Sequence, residues 1–402
     1  MTGLKDRTFI TFIFLYLFFV LISAPVWNTM VTKGEDVELD ERRWLIYSTY
    51  LLAIYISLIL FYIIKSHLFY KTEDGYQFKG IFRFKIGFIH WICLLWCLVM
   101  PVIVFINKGA LPQYFQLILW PLIFEMSYLA VLHSPERINT FYRFYWIIFI
   151  WGVFLFLTSK GTAYGVVSPN AVFVPLLTMP FLLIKNNQRY RFYILILFTI
   201  LILISMKRSS MLIIAAGWLV YGLPFLKIRN KLVALASIGL LAIVVLFLFS
   251  RLNNAMGGEI MERITQEETD TGRNRLAIWA VSWSMIQESS VKDLLHGHGH
   301  FGVRKNSILE ISAHNDIMEV IYDYGLTVFV LYIGLWIYVL KRWWEQFKEK
   351  SSYFLPYSVS LAIFLVMSLV SHLVLYTSYF NFLVMFWGCM EGLRENKKLS
   401  ST

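Results

Sequence analysis

The apolar stretch TFITFIFLYLFFVLISAPVW, residues 8–27, decides the fold class of this chain. It contains no charged residue, and its length of about 20 residues is what a helix needs to cross the hydrocarbon core of a bilayer. A cleavable signal has a shorter apolar core, so we expect this segment to remain as a membrane span. Similar stretches recur along the 402 residues, which are 58% hydrophobic with a mean hydropathy of +0.63. Because soluble domains are about 45–50% apolar, the composition predicts a polytopic membrane protein.

The apolar stretches predict an all-α protein with about 12 transmembrane helices. The predicted spans are residues 8–27, 44–64, 86–106, 113–132, 144–158, 166–184, 190–206, 209–226, 231–249, 324–340, 353–375 and 378–392. Most connections between them are short, but one is long. It divides the chain into three predicted parts: the first nine spans (1–249), an outer loop (250–323), and the last three spans with a tail (324–402).

Lysine and arginine placement predicts the orientation, because cytoplasmic loops of membrane proteins carry an excess of both residues. With a cytoplasmic N-terminus, most basic residues fall on the inner side, as in KIRNK (227–231), KRWWEQFKEK (341–350) and the tail segment RENKK (394–398). The C-terminus is then cytoplasmic as well, and the long loop faces outward. The net charge of +11 is therefore mostly a topology signal, and we expect no nucleic-acid partner.

The long loop predicts an outer domain of helices that lies against the membrane, since loops of this length are usually functional. EIMERITQEE (259–268) is typical of a short amphipathic helix. In NRLAIWAVSWSMIQES (274–289), helical spacing places four apolar residues on one face: Leu276, Trp279, Trp283 and Ile286. HGHGHFG (296–302) is typical of a turn. ILEISAHNDIMEVIYDYG (308–325) predicts a helix that continues into the tenth span.

Three basic features on the outer side are candidates for chemistry. Arg208 lies in SMKRSSML (205–212), where a turn of two or three residues between spans leaves it near the hydrocarbon boundary. An ionised side chain placed there usually has a purpose. Arg273 and Arg275 lie in TGRNRLAIW (271–279), and His314 lies at the outer mouth of the tenth span. Simpler interpretations remain open: an interfacial arginine that reaches water, solvated loop charges, and a structural histidine.

These residue types fit one chemistry. The planar fork of an arginine binds phosphate at two points, so two arginines at the outer membrane surface can hold the diphosphate of a lipid carrier. A histidine beside them can take a proton from a sugar hydroxyl near neutral pH. The combination fits a site that binds a lipid diphosphate beside a group that accepts a proton from a sugar hydroxyl, and this chemistry requires no metal ion.

A family resemblance rests on the same segments. RLAIW (275–279), HGHGHFG (296–302) and AHNDIMEVIYDYGLTVFVLYIGL (313–335) resemble, in order and spacing, the signature of the O-antigen ligase and polymerase superfamily of bacterial membrane glycosyltransferases. KRSSML (207–212) is similar to the family's arginine at the outer end of a span before the long loop. The turn departs from the commoner family pattern, because histidines stand between its glycines and after them, and this leaves the role of the turn open.

The resemblance implies a GT-C-like fold and a metal-independent glycosyltransferase on the outer face of a bacterial inner membrane. The donor would be an oligosaccharide linked to undecaprenyl diphosphate. In a polymerase, the favoured reading, the acceptor glycan is another lipid-linked repeat; in a ligase it is the lipid A core. No cofactor is implied, and a flippase and chain-length regulator proteins are possible partners. A transporter or lipid flippase is a more distant alternative that favours charged residues in several spans, whereas Glu125 is the main mid-span charge here.

The resemblance also implies residue roles. His314 would be the catalytic base, and Arg208 and Arg275 would bind the diphosphate, with Arg273 as a less direct match. Asn315 and Asp316 would orient the histidine or the acceptor sugar. The remaining acids of the segment, Glu319 and Asp323, are expected to cap or solvate the helix.

Metal binding is not expected. His296, His298 and His300 alternate along the turn, but no acid or cysteine is placed to complete a ligand set. The three cysteines lie inside apolar runs, without a zinc or disulfide pattern. The acidic first outer loop, KGEDVELDERR (33–43), could supply a catalytic acid as in other membrane glycosyltransferases, but a solvated loop is the simpler interpretation.

Overall fold

The computed structural model describes residues 6–33, 43–72, 75–78, 87–159, 169–205, 207–222, 272–371, 373–374 and 377–401. Its α-helices, in chain order, are α1 Asp6–Lys33, α2 Arg43–Leu68, α3 Phe88–Ile106, α4 Leu111–His133, α5 Arg137–Thr158, α6 Phe173–Leu182, α7 Gln188–Ser205, α8 Arg208–Gly222, α9 Gly272–Glu288, α10 Val291–His296, α11 Gly302–Asn306, α12 Asp316–Lys348, α13 Phe354–Val370 and α14 Thr377–Ser401. A 3₁₀ turn, Pro169–Val172, precedes α6, and a hairpin of strands β1 Phe69–Thr72 and β2 Gly75–Phe78 follows α2.

The helices confirm the predicted all-helical membrane class. Among the described residues, seven helices are long and apolar enough to cross a membrane: α1, α2, α3, α4, α5, α7 and α12. Two shorter apolar helices, α6 and α13, pack with them. Every predicted span except 231–249 overlaps a described helix. That span and the predicted amphipathic helix at 259–268 lie outside the described residues, so a total of twelve spans stays a prediction.

The centre of the bundle is the pair α4 and α14, which pack at very short range. Gly388 and Gly392 face the backbone of Phe124 and Tyr128, and a Cβ atom at either glycine would overlap a carbonyl oxygen of α4. Small residues four apart let membrane helices approach closely, and van der Waals contact between the backbones then replaces the missing hydrophobic drive. The close pair forms the scaffold on which the other helices pack.

Charged side chains inside the bundle are paired. Glu125 on α4 lies 2.8 Å from His90 Nδ1 on α3, so the mid-span carboxylate noted in the sequence has a partner. Glu391 on α14 accepts hydrogen bonds from Arg342 at 2.8 Å, from Arg394, and from the Tyr338 hydroxyl at 3.1 Å. Pairing of this kind offsets the cost of placing charge in an apolar environment.

Several helix ends lie at the same level of the bundle. Arg191, at the start of α7, donates a 2.6 Å hydrogen bond to Ser352 O just before α13. The two helices are 18 and 17 residues long, and Gly217 of α8 lies against both Leu195 of α7 and Val359 of α13. The helices therefore run in the same direction and end at a similar level. The turn between α7 and α8 lies at that level, and so does the start of α12, because Asn315 contacts Leu369 O near the end of α13. We call this side the His314 end of the bundle.

Two local predictions are wrong. The helix predicted over 308–325 begins only at Asp316, and residues 308–315 form turns and extended chain. The predicted packed face of α9 is also shifted. Leu276 and Trp283 are 67% and 49% exposed. Ile286 is buried as predicted, but the helix buries Ile278 and Ser282 beside it. Apolar side chains beside a membrane do not have to face the protein interior, so apolar spacing alone misplaced this face.

Candidate functional site

His314 occupies an unusual backbone conformation. Its φ angle is +53°, in the left-handed region that non-glycine residues seldom adopt. Its own N–H donates to Glu319 Oε1 at 3.0 Å, and the carbonyl of the preceding Ala313 accepts a 3.0 Å hydrogen bond from the Trp279 indole N–H. Strained conformations of this type cost about 1–3 kcal/mol and persist where the surroundings over-determine them, often at functional sites. The imidazole is half-buried.

Asn315 caps α12. Its side-chain oxygen accepts hydrogen bonds from the N–H groups of Ile317 at 3.0 Å and Met318 at 3.3 Å. Its amide nitrogen donates to Leu369 O at 3.3 Å. Both ends of the side chain are thus engaged in fixing the start of α12 against the end of α13. Asn315 therefore fixes the backbone next to His314, and its role in orienting the histidine or the acceptor sugar stays a prediction.

The three acids that follow His314 are buried, not solvated. Asp316 is 0% exposed and accepts hydrogen bonds from Leu373 N at 3.0 Å and Val374 N at 3.2 Å. Glu319 is 3% exposed and holds the N–H of His314. Asp323 is 1% exposed and accepts from Val303 N at 2.9 Å. Of the two roles expected for Glu319 and Asp323, to cap or to solvate the helix, solvation was wrong, because both carboxylates are buried and accept hydrogen bonds from backbone N–H groups; Glu319 accepts its bond at the start of the helix.

The turn at residues 297–299 docks onto α12. His298 N donates to Tyr322 O and Gly299 N donates to Asp323 O, both at 2.9 Å. The acceptors are available because α12 is broken at Gly325, whose φ and ψ angles are 78° and 174°. The turn therefore supplies hydrogen-bond partners to the broken helix, which gives a structural role to the segment that the sequence left open.

The helix α9 brings Arg275 to the same region. Trp279, which donates to the carbonyl beside His314, stands four residues after Arg275. Side chains four apart on a helix share one face, with Cβ atoms about 5–6 Å from each other. The half-buried Arg275 and His314 are thus linked through one hydrogen bond and one helical turn. The side chain of Arg273 lies outside the described part of the chain, so its predicted role stays a prediction.

Arg208 is the first residue of α8 and is exposed at the His314 end. The turn before it matches the predicted length, since α7 ends at Ser205. The Lys207 ammonium lies 5.5 Å from the centre of the Phe173 ring. Phe173 in turn packs against Tyr379, near the start of α14. The turn therefore lies on the side of the bundle to which the segment 373–374 and Asp316 belong.

Residues 192–333 match the family model described as O-antigen ligase. This segment, about a third of the chain, is therefore similar to the O-antigen ligase domain. No curated protein matches the chain significantly. The matched segment begins in α7 and ends in α12, so it contains all the predicted site residues. Together with the seven long apolar helices, this match indicates an inner-membrane protein that contains an O-antigen ligase-like segment.

Some structural contacts of the matched segment could not be read from the sequence. The hydrogen bond from Trp279 to Ala313 joins residues 34 positions apart. Gly325 did give a signal, because a glycine inside a helical pattern often marks a break or a close approach. Asn107, which lies outside the matched segment, donates to His296 O at 2.9 Å, and no local pattern marks that contact.

The three histidines of the turn contact three different groups. His296 Nδ1 lies 3.1 Å from Lys292 O. His298 stacks on Tyr322, with ring centres 4.0 Å apart. His300 is buried and forms a hydrogen bond through Nδ1 with the Tyr324 hydroxyl. The rings support the turn in separate places and do not converge on a common point.

His300 is expected to make the folded protein sensitive to acid. Burial, with a smaller contribution from Lys305, lowers the pKa of His300 to about 3. In the unfolded chain a histidine has a pKa of about 6.5 and takes up a proton below that value. The folded state should therefore lose stability as the pH falls from about 6.5 towards 3.

The measurement is the thermal denaturation midpoint of the detergent-solubilised protein between pH 7.5 and 5. His300→Gln should flatten the pH dependence, whereas His296→Gln, at a less buried ring of the same turn, should leave it unchanged. Equal slopes for the wild type and His300→Gln would show that His300 does not carry this effect.

Proposed function

We propose that this chain is a member of the O-antigen ligase and polymerase superfamily of membrane glycosyltransferases, and that it is a polymerase that extends a surface polysaccharide of the O-antigen type. It would take glycan from an undecaprenyl diphosphate donor and pass it to a sugar hydroxyl of another lipid-linked repeat. The observation that carries the proposal is the Trp279–Ala313 hydrogen bond, which couples the helix of Arg275 to the backbone of His314 inside the family-matched segment. A phosphate-binding side chain and a proton acceptor in one place are what this reaction requires.

The reaction assigns one task to each group. The acceptor oxygen forms a bond to the anomeric carbon while the bond from that carbon to the diphosphate oxygen breaks. The electron pair leaves with the diphosphate, and the acceptor proton passes to His314. Arg275 and Arg208, with Arg273 as a further candidate, bind the negative charge of the leaving group. A direct displacement of this kind inverts the anomeric centre and requires no metal ion.

The held backbone of His314 supports its role as the base. Proton transfer is efficient when donor and acceptor are already positioned, because the entropy of bringing them together has been lost on folding. Three hydrogen bonds surround this residue: at the preceding carbonyl, at its own N–H, and at the capping side chain of Asn315. The half-buried ring is therefore attached to a fixed backbone and still reaches the surface of the site.

The alternative is an O-antigen ligase, which uses the same donor and transfers the glycan to the lipid A core. The two are separated by supplying purified protein with lipid-linked repeats alone, or with lipid A core added. A ladder of longer lipid-linked products with repeats alone supports the polymerase. Product only after the core is added supports the ligase, and no product in either mixture contradicts both. In cells, a flippase and a chain-length regulator are the partners that a polymerase would need.

The site is proposed to face the outer side of the membrane, with both termini in the cytoplasm. The motivation is the excess of lysine and arginine in the segments 227–231, 341–350 and 394–398. Tags inserted at 228 and 346 should not react with a membrane-impermeant reagent in cells whose outer membrane has been permeabilised and whose inner membrane is intact. A tag at 266 should react. If the tag at 266 is protected and the tag at 346 reacts, the chain has the opposite orientation, and an outward-facing site is excluded.

A further inference from the structure

The break in α12 divides that helix into two unequal pieces. Gly325 has a φ angle of +78° and separates a short segment, 316–324, from a long one, 326–348. The short segment directly follows His314 and carries the three buried acids. Its direction relative to the rest of α12 therefore helps to determine where the imidazole lies.

The last residues of α10 and the turn at 297–299 fill the break through backbone contacts. Besides the hydrogen bonds to Tyr322 O and Asp323 O, the backbone of the turn and the backbone of α12 approach so closely that no side chain fits between them. A Cβ atom on Gly297 would overlap the carbonyl of Asp323, and one on Gly325 would overlap the carbonyl of Leu295. Both glycines also have positive φ angles. The contact therefore depends on glycine at both positions.

Two side chains outside the proposed catalytic groups fasten the turn to the bundle. Asn107, which follows α3, donates to His296 O at 2.9 Å. Thr327, on the long segment of α12, donates from its hydroxyl to Leu295 O at 2.9 Å. The carbonyls of Leu295 and His296, at the end of α10, are thus bound by one residue that follows α3 and by one residue of α12.

The same stretch of chain reaches the short segment of α12 at a second point. α9, α10 and the turn follow one another between residues 272 and 299, and Trp279 of α9 donates to Ala313 O beside His314. The stretch that carries Arg275 is thus attached near His314 at one place and at the helix break at another. Two attachments fix an orientation, whereas one would leave a pivot.

We propose that Asn107 and Thr327 are positioning residues for glycan transfer. By fastening the turn into the break of α12, they set the position of Arg275 relative to His314. This inference rests on the proposed function, and it assigns to the glycine turn a task in the reaction without giving it a contact with substrate. Loosening the turn should leave the arginines able to bind diphosphate but should misplace the proton acceptor.

The test is the double variant Asn107→Leu, Thr327→Val, which removes both side-chain donors and leaves the turn intact. Its kcat should fall at least about tenfold, while the affinity for the lipid diphosphate donor changes less than about twofold. Thr327→Ser keeps the hydroxyl and should retain wild-type kcat. The matched control is Asn396→Leu, Thr158→Val, because Asn396 donates to Leu132 O and Thr158 to Phe154 O at 2.8 Å, away from the turn.

A second readout does not depend on activity. Spin labels at the exposed positions 276 on α9 and 330 on α12, in protein lacking the native cysteines, report how firmly α9 sits on the bundle. The distance distribution should be narrow in the reference protein and broad in the double variant. An unchanged distribution, unchanged kcat, or a parallel loss of donor binding and thermal stability would each overturn the positioning role. If the wild type forms no product, the proposed function fails, and the distances still decide whether these residues fix α9.

Discussion

Replacing His314 with asparagine should lower turnover by about 10²–10⁴-fold, the range that a positioned proton acceptor typically supplies. Asparagine is chosen because it tolerates the left-handed backbone found at this position better than alanine does. A loss of turnover can then be attributed to the missing imidazole and not to strain in the backbone. The asparagine amide cannot accept the proton of the acceptor hydroxyl, so glycan transfer should stop at that step.

Donor binding separates the catalytic role of His314 from a structural one. The diphosphate is bound by arginines in this scheme, so the His314→Asn protein should bind the lipid-linked donor with nearly the wild-type affinity. His296→Asn, a change of the same kind in the turn, serves as the control and should keep most of the turnover. Near-normal kcat in purified His314→Asn protein would exclude the histidine as the base, and Asp316 would become the next candidate.

Loss of Arg275 should be almost as damaging. Hydrogen bonds to charged groups contribute about 1.5–3 kcal/mol each, and a two-point contact with diphosphate makes two of them. Arg275→Ala should therefore reduce kcat/KM for the donor by about 10²–10⁴-fold. Arg275→Lys should recover little, because an ammonium group cannot reproduce the planar fork.

The measurement is kcat/KM for the donor, with equilibrium binding of the unglycosylated lipid diphosphate alongside it. Arg189→Ala, at an exposed arginine at the start of α7 and far from the His314 end, is the control. Both measured quantities should decrease together for Arg275→Ala, in contrast to His314→Asn. Wild-type diphosphate binding by Arg275→Ala would place the leaving group elsewhere.

The spans could be predicted from the sequence because crossing a bilayer imposes a length and a composition on each segment. Residues 8–27 and 113–132 each satisfy both requirements, and each lies within a described helix. The break at Gly325 was not predicted, because a glycine inside a helical pattern shows that a break is tolerated but not that one is formed. Its existence depends on the turn, almost 30 residues earlier, that hydrogen-bonds the exposed carbonyls.

The site was predicted in its residue types but not in its geometry. The sequence indicates His314 and Arg275 as chemical groups, whereas their coupling depends on the indole N–H of Trp279, which the sequence suggested only as part of a packed apolar face. Asp316 was expected to orient His314 or the acceptor sugar. It is buried, and its carboxylate accepts hydrogen bonds from the backbone N–H groups of residues 373 and 374, a contact across 57 positions that no local pattern predicts.

The most direct measurement of the central claim is release of polyprenyl diphosphate by the purified wild-type protein. The protein is mixed with a polyprenyl diphosphate-linked oligosaccharide in the presence of a chelator and without any nucleotide sugar, and lipid and glycan products are followed by mass spectrometry. The account predicts one polyprenyl diphosphate released for each new glycosidic bond, with the anomeric centre inverted. Absence of release, or release only when a divalent ion or a nucleotide sugar is added, would contradict it.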